Sequence, residues 1–224
     1  MKTNVMMQLI LKDWRLNSRM IFLLTLAGAS ALALLMIGGK AILIGTVFFF
    51  VAMIFCACLL PMQNIVNEIK KQTIPFIMSL PVSSAQYGAA KLLSTAGMFL
   101  ISWLALLGAG LYMIVGRHTL PQGVIPMGMI LMGFPFIGFC LVTGAALAGE
   151  SEGWATAALA ITNSSYWLAW YLLLTYVPSL NKGWSSPVPV WTPAVFKVLG
   201  AEFAIVFLIL GLTMYIQSRK RSFI

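Results

Sequence analysis

Six long apolar runs constrain the fold of this chain more than any other feature. The hydrocarbon core of a bilayer is roughly 30 Å thick, and about 20 apolar residues of α-helix cross it. Of the 224 residues, 61% are hydrophobic and 8% are charged, whereas an ordinary soluble domain has roughly 25% charged residues. Lipid accommodates this apolar surface when each span satisfies its own backbone groups as a helix. We therefore predict an all-α integral membrane protein with one transmembrane domain, 1–224, and six spans at residues 20–37, 41–60, 92–115, 124–148, 154–177 and 198–217.

The segments between the spans differ in character. Residues 3–19 place apolar side chains on one helical face and most charges elsewhere, which favours an amphipathic helix lying at the interface, with Trp14 at headgroup depth. A plain basic leader is the alternative for this segment. The pair Gly38-Gly39 predicts a tight turn between the first two spans. The proline-rich residues 178–197 predict a sizeable loop before the last span.

The distribution of basic residues predicts the orientation of the spans. With the N-terminus inside, ten lysines and arginines fall in cytoplasmic segments and four in outer segments. Cytoplasmic loops carry an excess of Lys and Arg, and this bias sets topology. We therefore predict that both termini are cytoplasmic. The turn at Glu150 and Glu152 gives this topology the least support, because it is predicted to be cytoplasmic but has no basic residue. Acidic residues count little in this rule.

Side chains that support catalysis or metal binding are scarce in this sequence. Cys56, Cys58 and Cys140 all lie inside apolar runs, and residues two apart do not share a helix face. We predict neither a disulfide nor a metal site. His118 is the one histidine, in a short loop, and no G-x-S-x-G motif occurs. Nucleophilic catalysis needs a nucleophile within hydrogen-bond reach of a base, so we do not expect the chain to be an enzyme by itself.

The spans also lack an obvious source of energy for transport. Only one of the five acidic residues, Glu202, falls within a predicted span, about one turn from its outer end, where we expect it to reach water. Coupling to an ion gradient needs ionisable groups at membrane depth. Nucleotide hydrolysis needs a G-x-x-x-x-G-K-[S/T] loop, but Gly39-Lys40 is followed by Ala41. We therefore expect any energy for transport to come from another polypeptide.

The largest predicted cytoplasmic segment spans residues 63–91. Thr73 can cap a short helix that tolerates proline in its first turn, and Pro81 stops it. Phe76, Ile77 and Leu80 share one face of that helix. The sequence alone leaves two readings open. The segment is either a compact knob that docks a soluble partner or an interfacial helix that rests on lipid.

This segment resembles the signature of type-2 ABC transporter permeases. In that family an acidic residue, a stretch with basic residues and Thr, an S-L-P-V-S stop and a later lysine follow the second span, as Glu68, Thr73, residues 79–83 and Lys91 do here. Residues 70–72, Lys-Lys-Gln, stand where many members have a glycine before the Thr. The resemblance implies a coupling helix that docks on an ATPase. The implied docking residues are Glu68, Lys70, Lys71, Thr73, Phe76, Ile77, Ser79, Leu80 and Pro81.

The layout of the rest of the chain is similar to that family as well. Its members have six spans, cytoplasmic ends, an N-terminal elbow helix, which residues 3–19 resemble, and an outer re-entrant element, which residues 178–197 resemble. The resemblance implies a permease subunit in a bacterial cytoplasmic membrane, paired with a second identical or homologous permease and with ATPase subunits that carry ATP and Mg²⁺. The alternative is a membrane scaffold or sensor that docks a cytoplasmic partner without transport. We expect no nucleic-acid partner, because basic residues anchor span ends.

The cargo is predicted less sharply than the architecture. Apolar and aromatic spans without buried charge suit an amphipathic cargo, such as a peptide, an antibiotic or a lipid-like molecule. Six aromatic residues are candidates to line its path, and the alternative is that they face lipid or form interfacial belts. These residues are Phe99, Trp103, Tyr166, Trp167, Trp170 and Tyr171.

Overall fold

Long α-helices make up almost the whole of the structure. The computed structural model describes residues 2–71, 84–149, 151–176 and 186–219. Its longer helices are α1 Lys2–Leu35, α2 Lys40–Pro61, α4 Ser84–Val115, α5 Ile125–Gly149, α6 Glu152–Tyr176 and α7 Pro193–Arg219. Three short elements complete the described part, a π-helical turn Met62–Val66, helix α3 Asn67–Lys70 and a 3-10 turn Gln122–Val124.

Within the described residues, five stretches of helix are long and apolar enough to cross a membrane. They are Met6–Leu35, Lys40–Lys70, Gln86–Val115, Gln122–Gly149 and Pro193–Arg219. Helix α6 is 25 residues long but is not among them, and it carries the polar run Asn163, Ser164 and Ser165 in its middle. Large apolar side chains such as Phe22, Phe48 and Phe207 point outward from the bundle. This arrangement is typical of a protein whose surroundings are lipid.

The N-terminal segment does not form a separate helix. Residues 3–19 were predicted to lie apart from the first span, but α1 runs without a break from Lys2 to Leu35. Its Asp13 is 2% exposed, and Asn17 is also buried. No Pro or Gly interrupts residues 3–27, so the local sequence allows one continuous helix. The predicted turn at Gly38-Gly39 is confirmed, because both residues have positive φ, which glycine adopts without strain.

The helices pack in two connected groups. Helix α1 packs against α2 and α4, while α5 packs against α7, α6 and α2. A cluster around Phe99 and Phe139 joins the two groups, because the rings of these residues, on α4 and α5, stack with centroids 4.4 Å apart. Part of the predicted outer loop, 178–185, lies outside the described residues. Its remainder is irregular up to Pro193 and accepts a hydrogen bond at Ser186 O from Gly123 N, at 3.0 Å.

Candidate functional site

A cluster of buried charges connects three helices at one end of the bundle, which we call the charged end. Lys91, on α4, is 1% exposed, and Asp13, on α1, is 2% exposed. The Lys91 Nζ donates to both carboxylate oxygens of Asp13 at 2.9 Å and lies 2.9 Å from Glu68 Oε1. Because buried charges are costly unless they are paired and hydrogen-bonded, these contacts fix how α1, α3 and α4 meet.

Neighbouring side chains complete the cluster. Lys12 Nζ lies 2.6 Å from Glu68 Oε1 and 3.4 Å from Asp13 Oδ1. The Tyr87 hydroxyl donates to Glu68 Oε2 at 3.0 Å. Two ammonium groups, Lys12 and Lys91, thus face two carboxylates, Asp13 and Glu68. The cluster is formally neutral, which is the condition under which ionisable groups persist among apolar helices.

A π-helical turn beside the cluster provides further hydrogen-bond acceptors for Lys91. Pro61 ends α2, and the next residues, Met62–Val66, form a π-helical turn. Such turns rearrange the backbone hydrogen bonds of a helix and occur often at functional sites. Lys91 Nζ donates to Asn64 O at 3.1 Å and lies 3.3 Å from Asn64 Oδ1. The Asn64 amide in turn donates to Thr95 Oγ1 at 2.7 Å, so the π-helical turn and α4 are also joined here.

The same end of the bundle contains the junction between α5 and α6. Lys70 Nζ lies 2.5 Å from Glu152 Oε1, and both side chains are about half exposed. The Gln217 amide, near the end of α7, donates to Leu147 O on α5. The N-terminal part of α1, helix α3, the start of α4, the α5–α6 junction and the end of α7 therefore all lie at the charged end.

The residues implied to dock a partner separate into three groups. Glu68 belongs to the internal cluster and its side chain is only 16% exposed, so it is not a freely projecting surface group. Lys70 pairs with Glu152, and Lys71 is exposed. The other predicted docking residues lie outside the described part of the chain, namely Thr73, Phe76, Ile77, Ser79, Leu80 and Pro81.

The six aromatic residues predicted to line a path do not share one surface. Phe99 is fully buried against Phe139, and Trp103 Nε1 donates to Met132 O at 3.0 Å, so both belong to the α4–α5 contact. Trp167 and Tyr171 are 70% and 63% exposed on α6. Tyr166 and Trp170 are half-buried where α6 packs against α5.

A small cavity lies beside Tyr166, and part of its lining is polar. It encloses about 40 Å³ between α2, α5 and α6. Asn163, Ser165 and Tyr166 of α6 line one wall, opposite apolar residues that include Ile54 and Phe134. A cavity of this volume has room for a few water molecules, which can hydrogen-bond to the amide and hydroxyl groups of α6.

Sequence reasoning missed the cluster itself. Lys91 was counted among the cytoplasmic basic residues and Glu68 was placed beside the predicted knob, and both belong to the family signature. Asp13 was assigned to the polar face of an interfacial helix. A usable signal exists in the sequence, because Leu9, Asp13 and Asn17 recur every four residues and share the buried face of α1. Lys91 is also the one charged residue of α4, and an isolated charge in a long apolar helix predicts a partner on another helix.

Comparison of the chain with protein-family models, with curated proteins and with solved structures returns no match.

Proposed function

We propose that this chain is the transmembrane permease subunit of an ATP-binding cassette exporter. In this proposal two permease subunits, identical or homologous, form a path for an amphipathic cargo through a bacterial cytoplasmic membrane. A separate ATPase hydrolyses ATP. The observation that carries the proposal is the ion pair between Glu68 and Lys91, at 2.9 Å. These are the first and last residues of the signature that resembles type-2 ABC transporter permeases.

The ion pair supports a mechanical role for the segment between its two residues. Because Lys91 also holds Asp13 of α1 and Asn64 of the π-helical turn, a displacement of the segment would be transmitted to three helices together. Residues 72–83 would rest on the ATPase, with Phe76, Ile77 and Leu80 as the apolar contact. Closure of the ATPases on ATP would then move α1, α2 and α4 as a unit.

The contacts at the charged end also support a topology of six spans. Lys70 reaches Glu152, so the α5–α6 junction lies at the same end of the bundle as helix α3, which precedes the coupling segment in the chain. Helix α6 has 25 residues and is roughly 37 Å long at about 1.5 Å per residue, enough to cross a core of roughly 30 Å. We propose that α6 also crosses the membrane, which brings the number of spans to six. We propose further that the charged end and both termini face the cytoplasm.

A polar face on α6 is the part of the bundle best suited to the cargo path. Asn163 and Ser164 are exposed at the middle of this helix, where polar groups in a membrane protein usually face a water-filled cavity or another helix rather than lipid. Tyr166, Trp167 and Tyr171 lie on the same helix. We propose that these residues face the path. Phe99 and Trp103 serve instead to hold α4 against α5.

Co-purification tests the proposed function. The full chain is expressed in its host with an affinity tag and captured in mild detergent, and co-purifying proteins are sequenced for an ATPase with a phosphate-binding loop. Phe76→Asp places a charge on the apolar contact and is expected to lower recovery of that ATPase at least tenfold. Phe76→Leu preserves the apolar contact and is the matched control.

Two results would contradict the proposal. One is normal ATPase recovery with Phe76→Asp. The other is capture of the ATPase without ATP-dependent movement of any amphipathic peptide or lipid in reconstituted vesicles, which would favour the scaffold or sensor alternative.

A further inference from the structure

Glu202 differs from every other acidic side chain in the described part of the chain. Asp13, Glu68 and Glu152 each form an ion pair, whereas none involves Glu202 among the described residues. It is the tenth residue of α7, and the sequence predicted it to reach water near the end of a span. The structure corrects that prediction, because Glu202 is only 7% exposed. Its Oε1 is buried and has no hydrogen-bond partner among the described residues.

The carboxyl group of Glu202 packs directly against the backbone of α5. A Cβ atom at Gly133 would overlap Oε2 of Glu202 and would lie 2.6 Å from its carboxyl carbon, closer than real Cβ contacts come. It would also lie 3.0 Å from Oε1, which is tighter than most such contacts. The absence of a side chain at Gly133 therefore creates the space that the carboxyl group fills. On either side of Glu202 along α7, Val195 and Val206 belong to two apolar clusters.

Charged partners for this carboxyl group are missing on the surrounding helices. Within the described residues, no titratable group on α4, α5, α6 or α7 forms an ion pair or hydrogen bond with it. The titratable side chains of these helices are Tyr87, Lys91 and Tyr112 of α4, Cys140 of α5, Glu152, Tyr166, Tyr171 and Tyr176 of α6, and Lys197, Tyr215 and Arg219 of α7.

The geometry restricts what the carboxyl group can bind. Ca²⁺ takes six to eight oxygen ligands, but no group of three or more His, Cys, Asp or Glu side chains that could hold a metal exists among the described residues. A proton needs no further ligand. It also removes the large cost of a buried, unpaired carboxylate.

We propose that Glu202 is a proton-binding site in the transmembrane part of this chain. The carboxyl group holds its proton while α7 packs against Gly133 of α5, and it releases the proton when that contact opens to water. The site is independent of the ATPase partner and would give the chain an ionisable group that responds to the α5–α7 contact.

Infrared spectroscopy of the full chain in detergent tests this proposal directly. At neutral pH we expect an absorption band from the C=O stretch of an un-ionised carboxylic acid, which shifts to lower frequency after exchange into D₂O. Glu202→Gln is expected to lose this band. Glu152→Gln is expected to retain it, because Glu152 is exposed and ion-paired. A neutral-pH spectrum without the band, or with an unchanged band in Glu202→Gln, would overturn the proposal.

A second measurement needs no variant and remains decisive if Glu202→Gln does not fold. Dicyclohexylcarbodiimide, an apolar reagent, takes up the proton of a neutral carboxylic acid on nitrogen while the carboxylate oxygen bonds to its central carbon, and the product rearranges to a stable N-acylurea. Mass spectrometry of peptides from the treated wild-type chain is expected to find the adduct at Glu202. The yield of this adduct is expected to decrease at least tenfold when the pH is raised far enough to ionise Glu202. No adduct at Glu202, or labelling of Glu152 alone, would overturn the proposal.

Discussion

Two regions of this molecule bury carboxyl groups, and they do so in opposite ways. At the charged end, Asp13 and Glu68 are surrounded by Lys91, Lys12 and polar groups, and every charge has a counter-charge within 3 Å. In the α5–α7 contact, Glu202 is buried to a similar degree but has no charged partner among the described residues.

The difference between the regions separates a fixed contact from a changeable one. A neutral network of ion pairs specifies one arrangement of α1, α3 and α4, because each alternative arrangement leaves a buried charge unpaired. A lone carboxyl group specifies less, since one proton decides whether it is charged. We therefore expect the charged end to move as a rigid unit and the α5–α7 contact to respond to its surroundings.

Removal of the central cation should have the largest effect on stability. Lys91→Met leaves two buried carboxylates without their shared partner, and breaking a buried pair in this way costs about 3–5 kcal/mol. The free energy of unfolding, measured by SDS titration in mixed micelles, should fall by that amount. Lys197→Met makes the same substitution at an exposed lysine of α7 and should change the free energy of unfolding little. A loss below about 1 kcal/mol for Lys91→Met would show that the cluster does not hold the helices together.

An acid-to-amide change at the charged end should have the next largest effect. Asp13→Asn keeps the shape of the side chain, but its amide oxygen can accept only one of the two hydrogen bonds that Lys91 donates to Asp13, and its NH2 group cannot accept the other. Loss of a hydrogen bond to a charged group costs about 1.5–3 kcal/mol. In a chain that already carries Lys91→Met, Asp13→Asn should lower the free energy of unfolding by less than it does in the wild-type chain. The double-mutant cycle should therefore give a coupling energy of about 0.5–3 kcal/mol. Strict additivity would contradict the contact.

The sequence predicted the helical class of this fold because apolar composition and run length act locally. Five of the six predicted spans correspond to helices that are long and apolar enough to cross a membrane, and the Gly38-Gly39 turn follows from the φ angles that glycine allows. Helix α4 begins at Ser84, where Ser83 or Ser84 was predicted to cap a helix that runs into the third span. Lys91 therefore lies within this helix, just before the predicted start of the apolar span at residue 92.

The candidate site was harder to predict because its parts are far apart in the chain. Asp13 and Lys91 are 78 residues apart, and no local pattern states that α1 and α4 are neighbours. The burial of Glu202 also depends on a glycine in another helix, at position 133. The sequence shows which charged residues lie in apolar surroundings. Helix packing determines which of them form ion pairs, as Lys91 and Asp13 do, and which one has no charged partner among the described residues, as is the case for Glu202.

Added volume in the α5–α7 contact should have an intermediate effect. Gly133→Ala places a methyl group where the Glu202 carboxyl lies. Because that carboxyl is the far end of a flexible side chain, it can move aside, and the loss in the free energy of unfolding should lie at the lower end of the overpacking range, about 1 kcal/mol. Glu202→Ala in the same chain should relieve most of that loss, because the two groups compete for one space. Gly200→Ala, an exposed position on α7 with nothing within 4 Å of the added carbon, is the control. Equal losses at both glycines would contradict the contact.

The amide substitution at Glu202 should have the smallest effect, which makes it the sharpest contrast with Asp13. If the carboxyl group is already neutral, Glu202→Gln replaces one neutral polar group with another of nearly the same shape. The free energy of unfolding at neutral pH should then change by less than about 1 kcal/mol, the size of one ordinary hydrogen bond. SDS titrations of this variant and Asp13→Asn in the same micelles compare the two regions directly. A loss at Glu202 as large as that at Asp13 would mean that an ionised Glu202 has a counter-charge, and the two regions would then bury their carboxyl groups in the same way.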